Sequence, residues 1–287
     1  QVREATLTQK LVALLNGNYV PKAAELPQLA ELARLNKLYL AFLRRVNGLG
    51  LRREEERFKW FMRNTGEVAS ALRGLDYALF KFSRPFEHVS VDLDILIKVE
   101  QMHHAVHNLV KRGFRIIVAE PYTITLERGG FIVDLYTHPS FAWVVYMNGE
   151  DLLNYVEDIE IDGTLARALS KDAEVVVAAA HAVYKEHIYL LMDYFVIKQW
   201  LSSKAASIAE ELNVAYALKL ALMLNKAIES GQIEAPYKFP ITLTARILMR
   251  KFAEDPYFRG TSLNALKLIA NPRAPRMLAG RLSRRSY

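Results

Sequence analysis

Residues 91–97 read Val-Asp-Leu-Asp-Ile-Leu-Ile, a strand-like run in which two carboxylates stand two positions apart. In a β-strand, residues i and i+2 point to the same face. Asp92 and Asp94 are therefore held side by side on a scaffold of Val91, Leu93, Ile95, Leu96 and Ile97. Like charges that close oppose each other's ionisation and weaken the strand unless something positive binds them. A divalent cation is the usual partner. Hard oxygen ligands suit Mg2+ (or Mn2+), which takes one or two carboxylates together with substrate phosphates. A third acid extends the pattern: Asp134 lies in Phe131-Ile-Val-Asp-Leu-Tyr136, where an acid is costly to bury unless paired or metal-bound. Three acids meeting on one sheet is the arrangement of two-metal phosphoryl-transfer sites, so Asp92, Asp94 and Asp134 are the expected metal ligands and catalytic residues.

The surrounding pattern predicts the setting. Residues 5–17, 26–47 and 53–75 carry apolar residues at helical spacing, and Gly74 closes the last of these. From Asp76 the period changes. Strands are expected over 77–82 and 91–97, a helix over 100–112 stopped by Gly113, and a short β-rich piece over 114–118. A hairpin of 122–127 and 131–136 turns through Gly129-Gly130. From Gly149 onward the pattern is helical again, with a long helix over 173–202 and others over 208–230, 242–253 and 263–270, punctuated by prolines. The expected fold class is α+β, a small mixed sheet between helical regions. Its divisions are an N-terminal helical region over 1–75, an α/β core over 76–148 and a C-terminal helical domain with a basic tail over 149–287.

Composition narrows the class. With no cysteine among 287 residues, disulfides and thiolate metal sites are excluded, and a cytoplasmic location is expected. No apolar run reaches the roughly 18–20 residues of a membrane span. The start, Gln-Val-Arg-Glu, lacks the apolar segment of a leader, and the missing Met suggests a true start upstream. The net charge is +7, and Arg273, Arg276, Arg281, Arg284 and Arg285 fall in a tail without an acid. Such a tail suits a phosphate-rich partner such as RNA, and equally a solvated basic end.

At this point the residues resemble a family. Tyr77-Ala-Leu-Phe-Lys-Phe-Ser83, Ser90-Val-Asp-Leu-Asp-Ile-Leu-Ile97 and Ile132-Val-Asp134 are similar to the nucleotidyltransferase superfamily with polymerase-β-like chemistry. More narrowly, they resemble the uncharacterised and toxin-type nucleotidyltransferase-like proteins of prokaryotes. Lys81, Ser83, Arg84, Asp92, Asp94, Gly113-Phe114 and Asp134 occupy the family's places, sharply over 77–136. The resemblance implies transfer of a nucleoside monophosphate group from an NTP, the substrate, to an acceptor. It implies Mg2+ or Mn2+ on Asp92 and Asp94, Asp134 beside the second ion and near the acceptor's proton, and Lys81, Ser83 and Arg84 on the triphosphate. It also implies an RNA acceptor (a tRNA end, for example) or a small molecule, and an antitoxin protein as partner. One position departs: Phe82 stands where the family's phosphate-cradling turn has glycine, and phenylalanine does not readily adopt positive φ. That departure leaves open a catalytically silent member that binds RNA or protein.

Two further groups are candidates. Lys185 and Asp193, in the expected long helix with His181, could face the nucleotide or form an interhelical pair. His103 and His107 share a helix face at metal-binding spacing, but no acid completes a set, and a solvated surface is expected.

Overall fold

The computed structural model describes residues 4–271, so the five tail arginines lie outside the described residues. In chain order it comprises α1 (Leu7–Leu15), α2 (Leu26–Leu35), α3 (Tyr39–Val46), α4 (Leu51–Ala71), β1 (Tyr77–Leu79), β2 (Asp92–Ile97) and α5 (Met102–Lys111). Then come β3 (Arg115–Glu120), β4 (Thr123–Arg128), β5 (Phe131–Tyr136), β6 (Ser140–Phe141), β7 (Val144–Val145), α6 (Gly149–Leu152), β8 (Val156–Ile161) and β9 (Thr164–Leu169). The remainder is α7 (Lys171–His181), β10 (Ile188–Tyr189), α8 (Leu191–Trp200), α9 (Ser203–Glu211), α10 (Ala215–Glu229), β11 (Tyr237–Lys238), α11 (Ile241–Glu254), α12 (Pro256–Thr261) and α13 (Leu263–Ile269).

Seven strands form one mixed sheet in the order β3-β4-β5-β2-β1-β9-β8, as the α+β class requires. The pairs β2–β5 and β1–β9 are parallel; the other neighbours are antiparallel. Alternation along the central strands divides two cores. Leu93, Ile95 and Ile97 of β2 join Val133 and Leu135 of β5 against α4 and α5. Each such side chain contributes roughly 1.5–3 kcal/mol by leaving water. The opposite face, through Ala78, Phe80, Leu96 and Tyr136, packs on α1–α3 and α7–α10. Asp92, Asp94 and Asp134 belong by alternation to this second face.

Gly66 lies inside α4, where glycine costs about 1 kcal/mol against alanine. A Cβ there would come within 3.2 Å of the Ile161 carbonyl, so the glycine lets α4 approach the β8–β9 turn.

Three expectations are corrected. First, the sheet does not end near residue 148: β8 and β9 follow Gly149, and β9 pairs with β1. Their turn, Asp162-Gly163, has positive φ at both residues, the mirror-image hairpin geometry. The polar, largely exposed β8 hid the alternation. The N- and C-terminal helices that flank the sheet share one core. Second, the helix over 26–47 is two. Lys37 adopts φ 59° just past α2, and the Leu38 N–H closes on the Ala33 carbonyl at 2.8 Å. The 208–230 helix breaks likewise at Asn213, φ 56°. Third, the long helix over 173–202 is interrupted. After α7 a π-helical turn spans Ala182–Glu186, and His187 is left-handed at φ 53°. The short strand β10 pairs with β11 before α8 begins. Apolar residues on every side of this stretch concealed the break. Such π-turns recur at functional sites.

Candidate active site

The parallel register of β2 and β5 sets Asp94 directly opposite Asp134. Asp92 lies two residues earlier on the same face. One carboxylate oxygen from each of the three can be chosen so that all lie within 4.8 Å of one another. Asp94 and Asp134 are each only 7% exposed. The Thr125 hydroxyl donates to Asp134 Oδ1 from the neighbouring strand. Lys81 Nζ sits 2.7 Å from Asp94 Oδ2, while Asp94 Oδ1 is buried with no hydrogen-bond partner among the described residues. A buried carboxylate oxygen without a donor is costly. An orphaned hard oxygen flanked by two further carboxylates fits a divalent cation of the Mg2+ or Mn2+ type.

The electrostatics agree with a site short of positive charge. Burial, then Asp94, pushes Asp92 above the ordinary carboxylate range. Burial, then Asp94 and Asp92, pushes Asp134 up to about 7. Burial also opposes the charge on Asp94, but Lys81 and Lys185 outweigh it and hold Asp94 below the usual value.

Lys81 reaches Asp94 from the end of β1, and it is Lys81, not Phe82, that takes the left-handed conformation, φ 55°. The obstacle expected at Phe82 is thereby displaced by one residue. A different feature occupies the turn. The N–H groups of Lys81 and Phe82 donate to the Glu174 carboxylate at 3.0 and 3.1 Å. Glu174 lies in the first turn of α7 and is 2% exposed. Its acid sits where it would be expected for helix-dipole reasons alone, so nothing in the local pattern distinguished it.

Burial is the main cause that pushes Glu174 from 4.5 up to about 7, against Arg84 and the two amide donors. The folded value exceeds the unfolded one, so the native state retains a proton that the unfolded chain releases. This stabilisation is complete below about pH 4.5 and is lost as pH rises through about 7. Urea midpoints of the metal-free protein are expected to fall across that window, with a shallower fall in Glu174→Gln.

Two cavities meet at the acids. The larger, about 510 Å3, runs from Asp92 and Asp94 to an apolar wall of Phe58, Phe61, Phe82 and Trp200. Its volume is that of a typical small-ligand pocket. Ser83 and Arg84 line it, and Arg84 Nε donates to the Lys81 carbonyl at 3.1 Å. The smaller, about 70 Å3, also touches Arg84, Asp92 and Asp94 and includes Asp193 and Lys37.

The interrupted helix brings Lys185 to the cluster, with Nζ 3.4 Å from the Tyr136 hydroxyl. Burial, then Lys81, lowers the Lys185 pKa from its usual value, although Asp94 and Asp134 pull the other way. Asp193 accepts from the Leu190 N–H at 3.1 Å as part of the start of α8, so it is a capping acid that also lines the smaller cavity. His181 is pushed down to about 3 by burial and lies 3.2 Å from Glu186. His103 and His107 are exposed on α5, as a surface helix requires. Sequence reasoning missed Lys37, His88 and Glu174, which reach the site only through tertiary packing.

The model of a family described as uncharacterised nucleotidyltransferase matches residues 20–228. No curated protein matches. A solution structure of the antibiotic-resistance factor ANT(2'')-Ia, described by its substrate-regulated conformation dynamics, is 16% identical. That match covers 67% of this chain and 93% of that one at a TM-score of 0.35. A crystal structure of ANT(2'')-Ia with adenylyl-2''-tobramycin is 13% identical, covers 60% of this chain and 98% of that one, and has a TM-score of 0.32. Likenesses of this size carry nothing about the acceptor. The family match spans most of the chain, and the chain belongs to the uncharacterised nucleotidyltransferase family.

Proposed function

We propose that this protein transfers a nucleoside monophosphate group from an NTP to a hydroxyl or phosphate oxygen of an acceptor, in a metal-dependent reaction at Asp92, Asp94 and Asp134. The observation that carries this reading is the triad itself, with its donorless Asp94 Oδ1. Asp92, Asp94 and Asp134 would hold Mg2+ or Mn2+, which when bound supplies Lewis-acid polarisation of the reacting phosphate and neutralises charge on the leaving pyrophosphate. The larger cavity takes the NTP, its base and ribose against the aromatic wall. Lys81, Ser83 and Arg84 orient the phosphates, and Lys185 adds positive charge behind the acids. The acceptor oxygen bonds to the α-phosphorus, the bond from that phosphorus to the bridging oxygen breaks, and pyrophosphate leaves. Asp134, which faces Asp94 across the β2–β5 register, receives the acceptor's proton. The +7 charge and the arginine tail support RNA as acceptor, a tRNA end included. An antitoxin partner belongs to the same reading, through the toxin-type resemblance.

One observation favours a second reading, a silent family member that binds RNA or protein. The amides of Lys81 and Phe82 are filled by Glu174, and Lys81 pairs with Asp94. NTPs labelled at the α-phosphate, incubated with Mg2+ or Mn2+ and either total RNA or small hydroxylated compounds, separate the two. Metal-dependent label on RNA is the expected result; label on small compounds alone would move the acceptor class. No label on any acceptor, with RNA still bound, would establish the silent reading.

A further inference from the structure

The parallel pairing of β1 and β9, with Leu79 opposite Ala168, brings the ends of both strands to one edge of the sheet. The turn after β1 and the first turn of α7 therefore meet there. Glu174 spans that junction. Its Oε2 accepts from the Lys81 N–H at 3.0 Å and its Oε1 from the Phe82 N–H at 3.1 Å. The remaining polar groups of Lys81 are engaged as well. Its carbonyl accepts from Arg84 Nε at 3.1 Å, and its ammonium lies 2.7 Å from Asp94 Oδ2. Lys81 is thus tied to α7 through its backbone and to the acid cluster through its side chain.

Two facts give this arrangement a purpose beyond closing a turn. First, Lys81 holds a φ of 55°, which a side chain opposes and glycine adopts freely. Such strain persists only where the surroundings over-determine it. Two adjacent amides closing on one buried carboxylate do so, since charge-assisted hydrogen bonds are stronger than neutral ones. Lysine at a position that suits glycine sets an ammonium on the acids. Second, Glu174 is 2% exposed and lines neither cavity, so it reaches the site only through the turn. Without its hold the strained φ would relax, and the direction of the Lys81 side chain would change with it.

We propose that Glu174 is a positioning residue of the transfer site: it holds Lys81 in the left-handed conformation from which the ammonium reaches Asp94, and with it the carbonyl that steadies Arg84. The inference rests on the transfer reading of the acid cluster.

Two measurements on the full chain test it, in the wild type, Glu174→Gln, Lys81→Gly and the double variant. One is the lysine ammonium NMR spectrum of the isotope-labelled protein without metal. The other is transfer from NTPs labelled at the α-phosphate, with Mg2+ and the acceptors named above. In the wild type, the buried ion pair should give the Lys81 ammonium a resonance in slow exchange with water, identified by its absence from Lys81→Gly. Glu174→Gln keeps the volume and one acceptor oxygen, so the chain should still fold. The Lys81 resonance should nevertheless be lost, and transfer should fall by roughly 10–100-fold. Lys81→Gly suits positive φ without help, so adding Glu174→Gln to it should change transfer by less than about twofold. A Glu174 that only supports the fold would lower transfer by the same factor in both backgrounds. Absence of the Lys81 resonance from the wild type, its persistence in Glu174→Gln, or equal fold-losses in both backgrounds overturns the positioning role. Loss of the resonance in Glu174→Gln, with no transfer of label by the wild type to any acceptor, would instead sink the transfer reading and leave the hold of Glu174 on Lys81 standing.

Discussion

Replacing Asp94 with asparagine will lower nucleotidyl transfer by on the order of 10³-fold, because it removes the central charge of the cluster. Asp94 faces Asp134 across the β2–β5 register and carries a buried carboxylate oxygen with no donor among the described residues. Asparagine conserves the shape but gives Lys81 Nζ no anion to pair with. The pair is largely buried, so losing one partner should also cost about 3–5 kcal/mol of stability. Asp92→Asn is the control that separates the two effects. Asp92 has no ion pair among the described residues, and burial and Asp94 raise its pKa. Neutralising it relieves repulsion in the metal-free protein. Its melting midpoint should therefore hold or rise while transfer falls as steeply as in Asp94→Asn. Equal activity loss with opposite stability changes would mark the acids as a site maintained against folding stability.

Glu174→Ala is expected to destabilise the protein by about 3–5 kcal/mol in urea unfolding. The substitution leaves the N–H groups of Lys81 and Phe82 without their acceptor. It also opens a void in a fully packed first turn of α7, where Ala173, Val175, Val176 and Val177 are buried. Glu174→Gln keeps the volume and one good acceptor oxygen, so its cost should be smaller. A Glu174→Ala cost below about 1 kcal/mol would show that water or another acceptor replaces the carboxylate without loss.

The triad was legible because period-two alternation is a local property: two acids among apolar strand residues declare a shared face. The third acid followed from an adjacent strand of the same kind, and the Gly129-Gly130 hairpin placed that strand. The breaks at Lys37 and across Ala182–Glu186 were not legible, since the residues on both sides remain apolar and helix-forming. What ends those helices is non-local. Asn36 bridges to Ala235 and Leu191, and β10 pairs with β11 nearly fifty residues later. β8 and β9 left one local sign, Asp162-Gly163, which the acidic exposed face of β8 outweighed. Lys37 and Glu174 carry no motif. They enter the site through the same tertiary contacts, so their positions could be learned only from the folded chain.

Thermal unfolding of the wild type and Asp92→Asn, each with and without Mg2+ and ATP, tests the central claim most directly. The wild type should show a metal-dependent rise in midpoint with ATP, and Asp92→Asn should show none from its own metal-free value. An equal rise in both proteins, or no rise in the wild type with any NTP and either metal, would contradict the assignment of Asp92, Asp94 and Asp134 as the metal and nucleotide site.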